Sequence, residues 1–297
     1  MDLRPIALNF ISRPLTILLL GVLCGCGSQP QTKSPAELIA SAWNNYRSGA
    51  YNLAIEEFNT VLTQTQESSD QHLQALYGLA TTWNWRSPGD DRAKAETHYR
   101  KLVELSPKHD LAAWSLLALA RLKHIVPVDQ DPNAVETRQA YQKCIDRFPD
   151  HPAADEAFIY QQSTWVVTAK AEDATKAADA LEKFVSQKPN SKFSSPAYHL
   201  LSKAYETLRK PDQQLQARIK AMELEEQDPE NPENELANAY WNIATIAEFD
   251  AGDFATARKY YQRLIDEYPT DIHKYGAKLA LQRMDNMEAT LLKEVSK

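Results

Sequence analysis

The groups in this chain able to bind a metal, attack a substrate or carry a proton are its 7 histidines, 3 cysteines and 40 carboxylates. A metal needs converging ligands, which on one helix means histidines about three or four residues apart. His72, His98, His109, His124, His151, His199 and His273 are too scattered for that, and no Cys-x-x-Cys pair is present. Nucleotide chemistry needs a glycine-rich loop whose amides cradle phosphate. The only Gly-x-Gly, Gly25 to Gly27, lies in the apolar N-terminal region. Neither a His-Glu-x-x-His metalloprotease motif nor a Gly-x-Ser-x-Gly nucleophile elbow occurs. His151, in Phe148-Pro149-Asp150-His151-Pro152, sits in a turn and reads as a capping or solvated side chain. Acidic runs at Glu223, Glu225 and Glu226 and from Asp228 to Glu235 read as solvated faces. No catalytic residue, metal site or cofactor is therefore expected. Two kinds of chemistry remain, acylation of a cysteine and binding across a surface.

The cysteine chemistry belongs to the N-terminus. Arg4 and Arg13 precede the apolar run Leu15 to Leu23, and Cys24-Gly25-Cys26-Gly27-Ser28 follows. A basic start, a short apolar core and small residues after it mark a secretory signal. The run is too short to span a bilayer, which takes about 20 apolar residues. Leu23-Cys24-Gly25-Cys26 resembles the bacterial lipobox, with Leu three residues before the Cys and a small residue directly before it. That resemblance implies cleavage before Cys26 and diacylglycerol on its sulfur; Cys24, directly preceded by Leu23, is the poorer acceptor. Gly27 is not the Asp that retains such proteins at the inner membrane in enterobacteria, so the resemblance implies an outer-membrane anchor facing the periplasm. An ordinary cleaved signal is the plainer alternative. Cys144, three residues after Tyr141, stands where other repeats carry Leu102, Phe184, Leu224 and Leu264, and reads as a core thiol.

The binding surface depends on elements set by a repeat. Proline recurs at Pro107, Pro149, Pro189, Pro229 and Pro269, at intervals of 42, 40, 40 and 40. Twelve and eight residues before these stand Ala95 and Tyr99, Thr137 and Tyr141, Ala177 and Leu181, Ala217 and Ala221, Ala257 and Tyr261. Ala54 and Phe58 keep the register one step earlier, with Gln66 in place of proline, and Ser48 to Phe58 echoes Ala251 to Tyr261. A fixed period over most of the chain predicts a solenoid, in which each helix pair buries its apolar face by stacking on its neighbours. The stretch Trp241 to Pro269, two amphipathic helices around a turn at Ala251-Gly252-Asp253, resembles the tetratricopeptide (TPR) pattern of Trp, a small residue, Ala, an aromatic four later and a closing Pro. It departs at Thr245, where the pattern prefers Gly, and at Glu248, where it prefers Tyr.

The expected architecture is an all-α solenoid of about six TPR-like helix pairs with a C-terminal capping helix. Residues 1–25 form the signal peptide and 26–34 the lipidated Cys26 with a polar tether. The solenoid covers 35–271 and the cap 272–297. Ser34-Pro35-Ala36-Glu37 opens the first helix as a capping box. Ile125 to Asn133, broken by Pro127 and Pro132, is an irregular loop and a candidate projecting contact. In the cap, Leu279, Leu281, Met284, Met287, Leu291 and Leu292 are expected to close the stack, with Lys278, Arg283 and Lys293 facing water. The concave face built by the first helix of each pair is the expected protein-binding groove, lined by Tyr77, Thr81, Asn84, Ser115, Leu119, Asn242, Ile246 and Phe249. Trp83, Trp114, Trp165 and Trp241 are assigned to the core.

A formal charge of −7, or −8 once Arg4, Arg13 and Asp2 leave with the signal, argues against nucleic acid, whose phosphates need clustered cations. Membrane attachment is expected from acyl chains alone. TPR-like units with a lipobox resemble periplasm-facing TPR lipoproteins, including the BamD-like members of the outer-membrane assembly machinery. Phe148 to Ala157 resembles turns in BamD-like and Tol-Pal-associated proteins, although six pairs exceed the usual five of BamD. The resemblance implies a non-enzymatic, lipid-anchored scaffold with protein partners in the envelope. The alternative is a ligand- or glycan-binding lipoprotein, or an enzyme whose site converges from residues distant in sequence.

Overall fold

A computed structural model describes residues 33–85, 91–228 and 235–295. The expected signal peptide, Cys26, most of the tether and Pro229 lie outside the described residues, as do the side chains of Leu291, Leu292 and Lys293. Every regular element among the described residues is helical. The first pair is α1 (Pro35–Arg47) and α2 (Tyr51–Gln64), then α3 (Asp70–Trp85) and α4 (Arg92–Leu105). Next come α5 (Asp110–His124) with α6 (Ala134–Arg147), and α7 (Pro152–Val166) with α8 (Ala171–Gln187). The last pairs are α9 (Ser194–Thr207) with α10 (Pro211–Glu226), and α11 (Ala237–Thr245) with α12 (Phe254–Glu267); α13 (Lys274–Val295) ends the stack. The periodicity therefore predicts the class and the pairing correctly.

Local chemistry starts and stops these helices as the sequence implies. Ser34 and Glu37 form the capping box, the Glu37 carboxylate accepting from the Ser34 amide at 2.7 Å. Asp91, Asn133 and Asp253 cap α4, α6 and α12 through their side-chain oxygens. His109 and His151 do the same for α5 and α7, each Nδ1 accepting a backbone N–H two residues on, at 3.1 and 3.0 Å. Their Nε2 atoms reach Asp70 and Asp110 at the start of the preceding repeat's first helix, at 3.5 and 2.8 Å. One histidine thus starts a helix and ties it to the previous repeat.

The turn inside a pair needs a left-handed residue. Gly49 and Gly252 supply it in the first and sixth pairs, at φ 81° and 68°. In the fourth and fifth, Ala169 and Arg209 adopt φ 52° and 54° despite their Cβ atoms. Ala169→Gly and Arg209→Gly are expected to stabilise the fold by about 1 kcal/mol each, measured by urea unfolding at constant m-value.

The small-plus-aromatic pairs form the spine of the core. Ala54 and Phe58, Ala95 and Tyr99, Thr137 and Tyr141, Ala177 and Leu181, Ala217 and Ala221, and Ala257 and Tyr261 are all buried. Cys144 packs among them with Ala113, Leu117 and Tyr141. Burial pushes its thiol up to about 12, so it packs as a hydrophobe and not as a thiolate. Trp83, Trp114, Trp165 and Trp241 pack half-buried against the core clusters.

Two expectations need correction. The sixth pair does not turn straight from an α-helix, because Ile246–Ala251 forms a π-turn before Gly252. Within this turn Glu248, on the same helical stripe as Trp241 and Ala244, is buried and accepts from Tyr261 Oη at 2.9 Å and from Arg283 Nε at 3.0 Å. Arg283 therefore ties α13 back to the last repeat instead of simply facing water. In α13 the stack is closed by Ala277, Ala280 and Met284, with Leu281 partly buried, while Leu279 and Met287 are 44% and 47% exposed. Gly276 sits so close to Trp241 that a Cβ there would lie 2.9 Å from the indole, so α13 meets the last repeat closely at this point.

Candidate functional site

Curvature follows from which helices touch. The first helices of successive pairs contact one another in a row, α1 with α3, α3 with α5, α5 with α7 and α7 with α9. The second helices pack against first helices, so the first-helix row lies on the tighter, inner side. The sixth pair joins this row differently, through contacts of α10 with α11 and the π-turn.

In the middle of the row, three consecutive first helices place polar and aromatic side chains together. Tyr77 of α3 packs edge-on to Tyr99 with ring centroids 5.8 Å apart. Thr81, one turn on, lies 3.2 Å from the Tyr99 hydroxyl. Burial pushes the Tyr77 phenol up to about 12; Glu156 adds to this, and Thr81 and Arg121 oppose it. The Tyr77 hydroxyl therefore shares its surroundings with α5 and α7. Arg121 of α5 approaches Glu156 of α7 at 3.5 Å, their side chains only 20% and 14% exposed. The Arg121 guanidinium also lies 5.3 Å from the ring of Tyr160, which stacks on Tyr141 at 5.9 Å. His124 hydrogen-bonds the Tyr141 hydroxyl at 2.9 Å, and burial lowers its pKa, with Arg121 adding to the effect. At neutral pH these phenols stay protonated and act as hydrogen-bond donors inside a partly dried surface.

Glu156 is the unsettled member. Burial raises its pKa, and the attraction of Arg121 and Lys192 does not offset it. A carboxyl raised in the fold adds stability below its ordinary range and loses it as pH rises through the folded value. Glu156→Gln is accordingly expected to raise Tm at pH 7 and to leave it unchanged near pH 4, by calorimetry across that range. Removing a charge that costs stability is the pattern expected where a site is kept for binding.

The expected groove residues divide. Tyr77 and Thr81 belong to this cluster, and the Asn84 amide lies near the Tyr99 hydroxyl beside them. Ser115 does not line an open groove: it is 0% exposed, with its Oγ buried among α5 packing. Helix α5 is packed against α3, α4, α6 and α7, which leaves only a narrow arc free. Leu119 is half-buried against Ala80 and Tyr99, and Ile246 against the core of the last repeat. Asn242 is exposed, and Phe249 is 66% exposed with the Arg283 guanidinium 5.3 Å from its ring. These last residues sit in the sixth pair, beyond the continuous row. Arg121, Glu156 and Tyr160 were not expected. The one signal for them was a charge interrupting the small and apolar runs Leu111 to Leu122 and Ala153 to Ile159.

A second polar cluster joins α9 to α10. Ser195 Oγ donates to Glu225 Oε1 at 2.9 Å, and His199 Nε2 meets the same oxygen at 2.5 Å. Arg218 donates to His199 Nδ1, which fixes the proton on Nε2. The serine is therefore bonded to the carboxylate and not to the imidazole, so the two do not form a serine–histidine pair. Burial would raise Glu225, yet His199, Ser195 and Arg218 together hold it below its usual value, as in an ion-pair brace between helices. Among the described residues no three His, Cys, Asp or Glu side chains converge as a metal site, and no helix is long and apolar enough to cross a membrane.

Row, repeat and caps together define a tetratricopeptide-like α-solenoid with a polar-aromatic inner face. The tetratricopeptide repeat family model matches residues 238–271, the sixth pair. The fold is similar to the crystal structure of PilW, a widely conserved type IV pilus biogenesis factor, with a TM-score of 0.53 and 14% identity, covering 83% of this chain and 98% of that one. It is also similar to BtubC from P. vanneervenii, with a TM-score of 0.50 and 17% identity, covering 84% and 93%. At these identities the likeness is one of fold. No curated protein sequence matches the chain.

Proposed function

We propose that this protein is a lipid-anchored scaffold that holds a segment of a partner protein against its inner face. The observation that carries this reading is the convergence of Tyr77, Arg121, Glu156 and Tyr160 from three successive first helices. Aromatic rings with an arginine and half-dried polar groups are what recurs at the energetic centre of protein interfaces. The anchor is Cys26 and the setting the bacterial envelope, on the periplasmic side of the outer membrane. Both rest on the lipobox resemblance, as does a role in outer-membrane protein assembly of the BamD-like kind. The pilus-biogenesis description of PilW makes envelope machinery of another type a second pathway for the same scaffold.

Photo-crosslinking in living cells tests this. A photoreactive side chain at Thr81, Asn242 or Phe249 is expected to capture a protein partner, whereas one at outward-facing Lys143 captures none. Cys26→Ser is expected to shift the protein from the membrane to the soluble fraction. Equal capture from both faces, or a serine variant that stays in the membrane fraction, would overturn the corresponding half.

A further inference from the structure

We propose that Glu156 receives a lysine side chain from the bound segment. The inference rests on the groove reading above and names what one of its subsites recognises. Glu156 has lost most of its water, and its only ion-pair contact among the described residues is Arg121 Nη1 to Oε1 at 3.5 Å. That is longer than a good charge-assisted hydrogen bond, and no hydrogen bond to Glu156 accompanies it. A desolvated carboxylate in this state needs a donor, preferably a charged one. Arg121 and Lys192 both face it, and their attraction falls short of its burial cost.

The surroundings select the donor. The Tyr77 phenol feels the Glu156 charge, and the Tyr160 ring lies beside the Arg121 guanidinium, so the surroundings are aromatic and favour a cation over a neutral amide. Arg121 already approaches the carboxylate, at 3.5 Å. A carboxylate shared with one guanidinium suits an ammonium, a point charge with rotatable donors, whereas a second guanidinium fork needs two coplanar acceptors of its own. The net charge of −7 also draws a basic segment toward the protein.

Fluorescence anisotropy with a labelled, capped peptide Ala-Ala-Thr-Lys-Thr-Ala-Ala tests the assignment, with the central residue changed to arginine, norleucine or glutamate. The wild-type protein is expected to bind the lysine peptide about tenfold more tightly than the norleucine one. Glu156→Gln should erase that preference, while Glu172→Gln, an exposed carboxylate on α8, should keep it. Circular dichroism confirms that both variants fold. The proposal is overturned if norleucine binds equally well, if arginine or glutamate binds best, if Glu156→Gln keeps the lysine preference, or if no peptide binds at millimolar concentration. Capture at Thr81 that persists in Glu156→Gln cells would leave the scaffold standing while removing this subsite.

Discussion

Phe58→Ala is expected to destabilise the N-terminal repeats by about 3–5 kcal/mol. The ring is fully buried, edge-on to Trp43 at 5.3 Å, and packed with Leu38, Ile39, Ala42, Val61, Ala75 and Leu79. It also occupies the space that any side chain at position 78 would need. A Cβ built on Gly78 would lie 2.3 Å from the tip of the Phe58 ring, so α2 and α3 approach at this distance only because position 78 has none. Gly78→Ala should therefore cost about 1–3 kcal/mol through overpacking, despite the better helix propensity of alanine. The two changes touch the same volume, so the double variant should lose less than the sum. Additive losses would show that the ring and the glycine do not share a contact. Because each repeat leans mainly on its neighbours, the damage should appear in hydrogen exchange as early opening of α1 to α3, with later repeats following only near global unfolding.

Glu248→Ala should have the next largest effect, about 3 kcal/mol, because it strands a buried phenol and removes the anion that holds Arg283. The Glu248 side chain is 3% exposed and its two oxygens are shared between Tyr261 and Arg283. Arg283 is half solvated, which keeps the loss at the lower end for a broken buried pair. Glu248→Gln keeps an acceptor for both partners and should cost about 1 kcal/mol. The place of the damage distinguishes this from general destabilisation: amides of α13 should lose protection first, since Arg283 is its polar tie to the sixth pair. If α13 stays protected in Glu248→Ala while α11 and α12 open, the carboxylate serves the π-turn and not the cap.

Much of this molecule is legible in one dimension. A 40-residue recurrence of proline and of small-plus-aromatic pairs can only be satisfied by stacking, since a single helix pair has no partner for its apolar face. Caps are equally local: Ser34 with Glu37 is fixed by a spacing of three residues whatever the rest of the chain does. The burial of Cys144 is legible for the same reason, because its register places it where other repeats bury hydrophobic side chains. The inner face is less legible. Helical periodicity assigns residues to sides of a helix, but a solenoid helix touches neighbours over most of its circumference. Periodicity puts Ser115 on the open side, yet it is enclosed; it puts Leu279 and Met287 on the closed side, yet they are exposed.

What the sequence determined by itself is the class, the pairing of helices and the identity of the buried spine, because these follow from local chemistry and a repeating apolar pattern. What the tertiary structure decided is which charges meet. Arg121 and Glu156 are 35 residues apart, and Glu248 and Arg283 are likewise 35 apart. Nothing in the neighbourhood of either residue announces its partner. Electrostatic pairing depends on separation in space and on how much water remains, and both are set only when successive repeats stack.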